Sequence, residues 1–235
     1  MSVDVDALSE RQIQAANVPT IVNDSTADTA LFLLLGAMRR FALAIGQRDA
    51  GNFNAQFPFT TAHNPEGRVL GIVGAGGIGR TLARKAAHAL GMKVLYHNRR
   101  KLPADVEAEG MPEGKPLTYV RRLDELLERS DVVSLNCPLT PETKHLIGAD
   151  ELAKMKNSAI LINTSRGPVV DEAALADALE RDVIAGAGLD VYEAEVRDVT
   201  LLSYPAYNAA QNSPGTLRTQ GLQGAASSAC RHAHA

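Results

Sequence analysis

The stretch RVLGIVGAGGIG, from Arg68 to Gly79, decides the fold. Val69 to Val73 is a short apolar run of the kind that forms a buried strand. It ends in Gly74-Ala75-Gly76-Gly77-Ile78-Gly79, and a helix-like stretch, Arg80 to Leu90, follows at once. A strand, a GxGxxG turn and a helix, in that order, are the context a dinucleotide-binding turn requires. Gly74 permits the tight turn, Gly76 lets the backbone approach a pyrophosphate, and Gly79 lets the helix pack on the strand. The helix start, with Gly77 and Ile78, then offers free N–H groups and a positive dipole end to phosphates. A purely structural glycine turn is the competing reading; the flanking strand and helix favour the nucleotide.

The 235 residues suffice for one large domain or two small ones, and a composition of 45% hydrophobic and 22% charged residues supports a packed core. A net charge of −3 gives no reason to expect nucleic acid or an anionic membrane as partner. Two cysteines, Cys137 and Cys230, make no disulfide framework and no metal-ligand spacing, so no metal is expected. The N-terminal MSVDVDALSERQ lacks the apolar stretch of a signal peptide, and the longest apolar run, Ala30 to Leu35, is too short to span a bilayer. A cytoplasmic location is the resulting expectation.

Outward from the glycine turn, apolar strands alternate with amphipathic helices. Strands are predicted at Thr20–Val22, Val69–Val73, Lys93–Tyr96, Val132–Leu135, Ala159–Ile162 and Ile184–Leu189. Helices are predicted at Thr81–Leu90, Leu123–Glu128, Ala149–Met155 and Glu172–Glu180, with Leu102–Thr118 as a Pro/Gly/Glu-rich connection. This alternation predicts an α/β fold, a Rossmann-type doubly wound parallel sheet. Upstream, Ser25, Thr26 or Asp28 is predicted to cap one helix running through ALFLLLGAMRRFALAIG. Its apolar residues cover most of its circumference. Asn52 to Pro65 reads as a loop. Residues 196–235 show no periodicity and few charges, the composition of a disordered tail.

Chemistry-bearing residues cluster at predicted strand ends. The second strand should deliver a residue to the adenosine ribose, where an acid would repel a 2′-phosphate. Tyr96-His97-Asn98-Arg99-Arg100-Lys101 stands there instead. Asn98 can bond a ribose oxygen, and Arg99 and Arg100 can pair with a phosphate, so NADP (NADPH) is expected, with NAD possible. Solvated loop cations are the plainer alternative. Asn163-Thr164-Ser165-Arg166-Gly167 follows a buried strand, and an arginine there can grip a carboxylate by two parallel bonds, with a surface ion pair as the equal alternative. Asp190 ends the last strand and Glu195 lies five residues on; both can reach the same crevice, although on position alone Glu195 reads as a solvated loop acid. Pro138 can wall an adenine ring, and Thr143 lies in the same loop. Cys137 has no neighbouring base in sequence and reads as a packed thiol rather than a nucleophile. His145 reads as solvent- or core-facing on a short helical stretch, and no catalytic role is expected of His232 or His234.

These motifs together resemble the D-isomer-specific 2-hydroxyacid dehydrogenases. The resemblance rests on NVPT with STADTALFLLLGAMRR, GIVGAGGIGR, YHNRRK, SLNCPLTPETKHLI, LINTSRGPVVDEAAL and AGAGLDVYEAE, in order. YHNRRK is most similar to the NADP-using glyoxylate/hydroxypyruvate reductase branch. The resemblance implies reduction of a small 2-oxo acid in a cleft between a cofactor domain and a substrate domain. It implies that Arg166 binds the substrate carboxylate and carbonyl, and that Glu195 tunes a catalytic histidine. It places Asp190 near the nicotinamide, Thr26 beside the cofactor, and Thr164 and Ser165, with Cys137, Pro138 and Thr143, along the cofactor's path. It also implies a homodimer formed through the helix after Ser25. Residues 1–25 are then expected to be a remnant of the substrate domain, 26–195 the dinucleotide-binding domain with its dimerisation helix, and 196–235 an atypical tail. Val196 stands where the family has proline, and 196–235 carry no match to the family's histidine segment. A nucleotide-binding module without turnover, or a non-functional fragment, is the alternative to an enzyme.

Overall fold

A computed structural model describes residues 5–16, 20–49 and 62–193. Helix α1 is Val5–Glu10, α2 Asn23–Met38 and α3 Phe41–Asp49. From residue 69 onward strands and helices alternate: β1 Val69–Val73, α4 Gly77–Leu90, β2 Lys93–His97, α5 Ala104–Ala108, β3 Thr118–Tyr119, α6 Leu123–Arg129, β4 Val132–Leu135, α7 Ala149–Lys154, β5 Ile160–Asn163, α8 Glu172–Glu180 and β6 Gly186–Leu189.

The six strands form one sheet in the order β3-β2-β1-β4-β5-β6, with each neighbouring pair parallel. This is the doubly wound topology the alternation predicts. Leu70 and Ile72 of β1 turn into a core built with Leu33 and Leu34 of α2 and Leu82 and Ala86 of α4. Val133 and Leu135 of β4 turn the other way, onto Leu126, Leu152 and Leu175 of α6, α7 and α8. Each fully buried aliphatic side chain contributes about 1.5–3 kcal/mol, so both faces hold the sheet rigid. Chain order reverses between β1 and β4. The C-terminal ends of these two strands therefore open the crevice in which such sheets bind ligands.

Three local expectations are corrected. Thr20–Val22 is a tight turn rather than a strand: Thr20 has φ +71° and its carbonyl accepts the Asn23 N–H at 2.9 Å. The helix that follows starts at Asn23, without a side-chain cap, so Ser25, Thr26 and Asp28 lie within it. It is also not continuous through Gly46. Arg40 takes φ +55°, α2 ends, and the returning His63 N–H caps the Met38 carbonyl at 3.0 Å. Tertiary contact, with no glycine or proline signal, makes that break. Third, the connection 102–118 contains α5 and leads into β3. Among the described residues no helix is long and apolar enough to cross a membrane.

Candidate dinucleotide-binding site

The glycine turn sits where β1 meets α4, at the reversal point of the sheet. Gly74 has φ +97°, and a Cβ there would lie 2.8 Å from the Asn136 backbone, so only glycine fits. A Cβ on Gly79 would strike the Gly74 carbonyl oxygen and come within 3.0 Å of Ile72 Cγ2, which is the close helix–strand approach the motif needs. Gly76 differs: a Cβ there would meet nothing within 4 Å. Its backbone therefore borders open space at the start of α4, where the dipole carries roughly half a positive charge. Gly77 and Ile78 form the first turn of α4. A Cβ on Gly77 would reach within 2.5 Å of the Asn23 side chain, so α2 begins against the turn. Lys85 of α4 pairs with Asp24 at 3.2 Å and Asp28 at 2.5 Å, fixing the two helices together. Thr26 is half-buried one turn along α2.

The end of β2 is bonded to the turn. The Gly74 N–H donates to the His97 carbonyl at 3.0 Å, and the Ala75 N–H donates to Asn98 Oδ1 at 2.8 Å. Asn98 thus holds the turn through its oxygen while its amide NH2 remains a donor. Arg99 and Arg100 follow, both exposed.

Beyond β4, Asn136-Cys137-Pro138 crosses beneath Gly74. Thr143 braces this loop: its hydroxyl donates to the Pro138 carbonyl at 2.6 Å and accepts the Thr140 N–H at 2.7 Å. Pro138 is exposed at the rim. Cys137 is largely buried, and that burial pushes its thiol above the ordinary value, as expected of a packed rather than nucleophilic cysteine.

Beyond β5, buried Asn163 organises the next turn. Its Oδ1 accepts from the Ser165 N–H at 3.0 Å and the Ser165 hydroxyl at 2.8 Å, and its Nδ2 donates to the Arg166 carbonyl at 3.0 Å. Arg166 is exposed, with one guanidinium nitrogen on the Ser165 carbonyl at 2.7 Å. Asp190, at the end of β6, is exposed, and its N–H bonds the Asn163 carbonyl at 3.0 Å. His145 lies in a turn, not a helix, with φ +51°, and its Nε2 meets Glu193 Oε1 at 2.8 Å. Glu195 and residues 196–235, with Cys230, His232 and His234, lie outside the described residues.

The chain is similar to known proteins across most of its length. Residues 31–213 match the model of the D-isomer specific 2-hydroxyacid dehydrogenase NAD binding domain. The chain belongs to that family. Glyoxylate reductase 1 of Saccharomyces cerevisiae is 41% identical over 196 residues, 82% of this chain and 54% of the relative. 4-methyl-2-oxopentanoate reductase A of Aspergillus oryzae is 42% identical over 194 residues, 83% of this chain and 56% of the relative. A crystal structure of a glyoxylate reductase from Paecilomyes thermophila superposes with a TM-score of 0.73 at 42% identity, covering 92% of this chain and 64% of that one. The chain spans about half the length of the curated relatives it matches.

The described residues fit the nicotinamide dinucleotide of this family. Gly76 leaves open the space a pyrophosphate needs. Two buried polar atoms, Asn136 Oδ1 and Thr164 Oγ1, have no hydrogen-bond partner. They follow the paired residues Leu135 and Asn163 at the C-terminal ends of adjacent strands β4 and β5. Buried polar atoms without partners are rare, and two at the sheet edge where such folds bind ligands fit a site completed on binding. The sequence reading did not single out Asn136, Asn163 or Asn23, because their roles depend on which strand ends and helices the fold brings together.

Proposed function

We propose that this chain reduces a small 2-oxo acid, glyoxylate or hydroxypyruvate, to the 2-hydroxy acid with NADPH. The observation that carries this reading is the sharing of one sheet edge by the open glycine turn, the Arg99–Arg100 pair and the exposed Arg166. When bound, the cofactor supplies a hydride to the keto carbon. The N–H groups at the start of α4 receive the pyrophosphate, Asn98 the adenosine ribose, and Arg99 and Arg100 the 2′-phosphate. Pro138 and Cys137 flank the adenine. Thr164, Ser165 and Asp190 orient the nicotinamide, with Thr26 alongside. Arg166 fixes the substrate carboxylate and polarises the carbonyl, which orients the acid and stabilises developing negative charge. Glu195 stands where the family resemblance places the partner of a proton-donating histidine; residues 196–235 carry no match to that histidine's segment, so the proton that completes the reduction has no assigned donor in this chain.

A homodimer through α2 and α3 accompanies this reading. Phe32, Phe41 and Ile45 on these helices are 42–47% exposed, an apolar surface suited to a second copy.

The test is NADPH absorbance in the presence of glyoxylate or hydroxypyruvate, against an Arg166→Ala control. Loss of absorbance that the control abolishes supports the enzyme. Retained NADPH binding without turnover supports a binding module in its place.

A further inference from the structure

The short run from Asn98 to Leu102 carries the cations assigned to the 2′-phosphate, and both of its ends are tethered. At its start, Asn98 Oδ1 accepts the Ala75 N–H, and the Tyr119 hydroxyl donates to the Asn98 carbonyl at 3.3 Å. At its end, the Leu102 N–H donates to the Tyr96 hydroxyl at 2.8 Å, and that hydroxyl donates to Glu107 Oε1 at 2.6 Å. Lys101 Nζ lies 3.7 Å from Glu107 Oε2. Tyr96 is fully buried on β2 and Glu107 nearly so on α5. Phenylalanine would fill the same core volume and pack equally well against Tyr119, whose ring centroid is 5.3 Å away. A buried hydroxyl and a buried carboxylate are costly unless their hydrogen bonds are met, and here the bonds they make all bear on this run.

We infer that the Tyr96–Glu107 pair is a specificity-determining positioning device: it holds the 98–102 run in the geometry that presents Arg99 and Arg100 to a 2′-phosphate. The inference rests on the NADPH reading above. Neither residue touches the phosphate. Both act by removing the ordering cost that a free loop would bear on closing two arginines around a dianion. Burial first, and Glu107 second, hold the Tyr96 phenol above its ordinary range, so the hydroxyl stays a donor at all working pH values. The adenine and nicotinamide contacts lie elsewhere, and the ribose contact at Asn98 is anchored separately by the Ala75 N–H and the Tyr119 hydroxyl, so NADH is far less sensitive to the device than NADPH. Discrimination between the coenzymes is therefore the property it controls.

The experiment measures NADPH and NADH dissociation constants by fluorescence titration, with amide hydrogen exchange at Leu102. It uses the full chain and its Tyr96→Phe, Glu107→Gln, Glu107→Leu and Arg99→Asp variants. Tyr96→Phe is expected to weaken NADPH by about five- to tenfold, the scale of one lost hydrogen bond, and to leave NADH within about twofold. Exchange at Leu102 should accelerate. Glu107→Gln keeps an acceptor for the Tyr96 hydroxyl and should retain most of the preference, whereas Glu107→Leu should lose it. If Tyr96→Phe does not fold, the Gln–Leu contrast at Glu107 carries the comparison. A parent chain that favours NADPH, with variants that weaken both coenzymes equally or neither, overturns the inference alone. A parent chain without preference, unchanged by Arg99→Asp, overturns the NADPH reading and this inference with it.

Discussion

Alanine at Gly76 and at Gly79 should have opposite consequences, although the two glycines are three residues apart in one turn. A Cβ on Gly79 would strike the Gly74 carbonyl, and Ile72 Cγ2 would stand at 3.0 Å. The first obstacle is backbone and cannot rotate away. Overpacking of this kind costs about 1–3 kcal/mol, and the backbone obstacle places it at the upper end. Helix propensity returns up to about 1 kcal/mol, leaving a net loss of about 2 kcal/mol. For a chain of this size, that lowers Tm by roughly 4–8 °C. Gly76 has φ −78° and ψ −158°, which alanine adopts freely, and its Cβ would meet nothing within 4 Å. The lost glycine preference at the helix cap and the smaller unfolded-state entropy nearly cancel, so Tm should move by less than about 2 °C. The same methyl group would occupy the space required by the pyrophosphate and weaken NADPH by at least about tenfold, or about 1.4 kcal/mol. Differential scanning fluorimetry and a fluorescence titration read both quantities. Undiminished NADPH affinity in Gly76→Ala, or an equal loss of stability in both variants, would refute the reasoning.

Further outcomes are expected. Arg99→Asp should weaken NADPH tenfold or more, with NADH changed by about twofold or less, measured by the same titration. Burial raises the Asp131 carboxyl, but the Val69 N–H at 2.8 Å, Lys156 at 3.0 Å and Arg68 at 3.6 Å outweigh it and hold it below the usual carboxylate range. Its stabilising contribution is therefore complete above the ordinary carboxylate pKa of about 3.9 and is lost as pH falls through the lower native value. Asp131→Asn should flatten that acid limb in urea midpoints measured between pH 6 and pH 2.5. Because burial raises the Cys137 thiol, its alkylation at neutral pH, followed by peptide mapping to separate it from Cys230, should be slower than that of a free cysteine.

The glycine turn was legible because its pattern is local: strand, turn and helix follow one another within residues 69–90, although the groups that demand glycine at Gly74 and Gly77, Asn136 and Asn23, come from elsewhere in the chain. Strands β1, β2, β4, β5 and β6 were legible for a related reason: buried parallel strands are short apolar runs bounded by turn residues. Non-local features were less so. Nothing in Met38-Arg39-Arg40-Phe41 signals a helix end, since the break depends on His63 returning to the Met38 carbonyl. The Pro/Gly/Glu-rich stretch 102–118 read as a connection because α5 is five residues long and β3 two. The Tyr96–Glu107 contact joins residues on different elements, and Tyr96 reads in sequence only as the last apolar position of a strand. The ligand edge of the sheet was visible residue by residue at Asn98, Thr164, Arg166 and Asp190. Asn136 and Asn163 directly follow predicted strands, but their roles depend on the hydrogen bonds and the Gly74 contact that the fold creates, which the local pattern does not carry.

A crystal structure of the chain with NADP+ tests the central claim most directly. The pyrophosphate is expected on the N–H groups at the start of α4 beside Gly76, and the 2′-phosphate against Arg99 and Arg100. Electron density for the dinucleotide away from the glycine turn, or a 2′-phosphate pointing into solvent with both arginines turned aside, would contradict it.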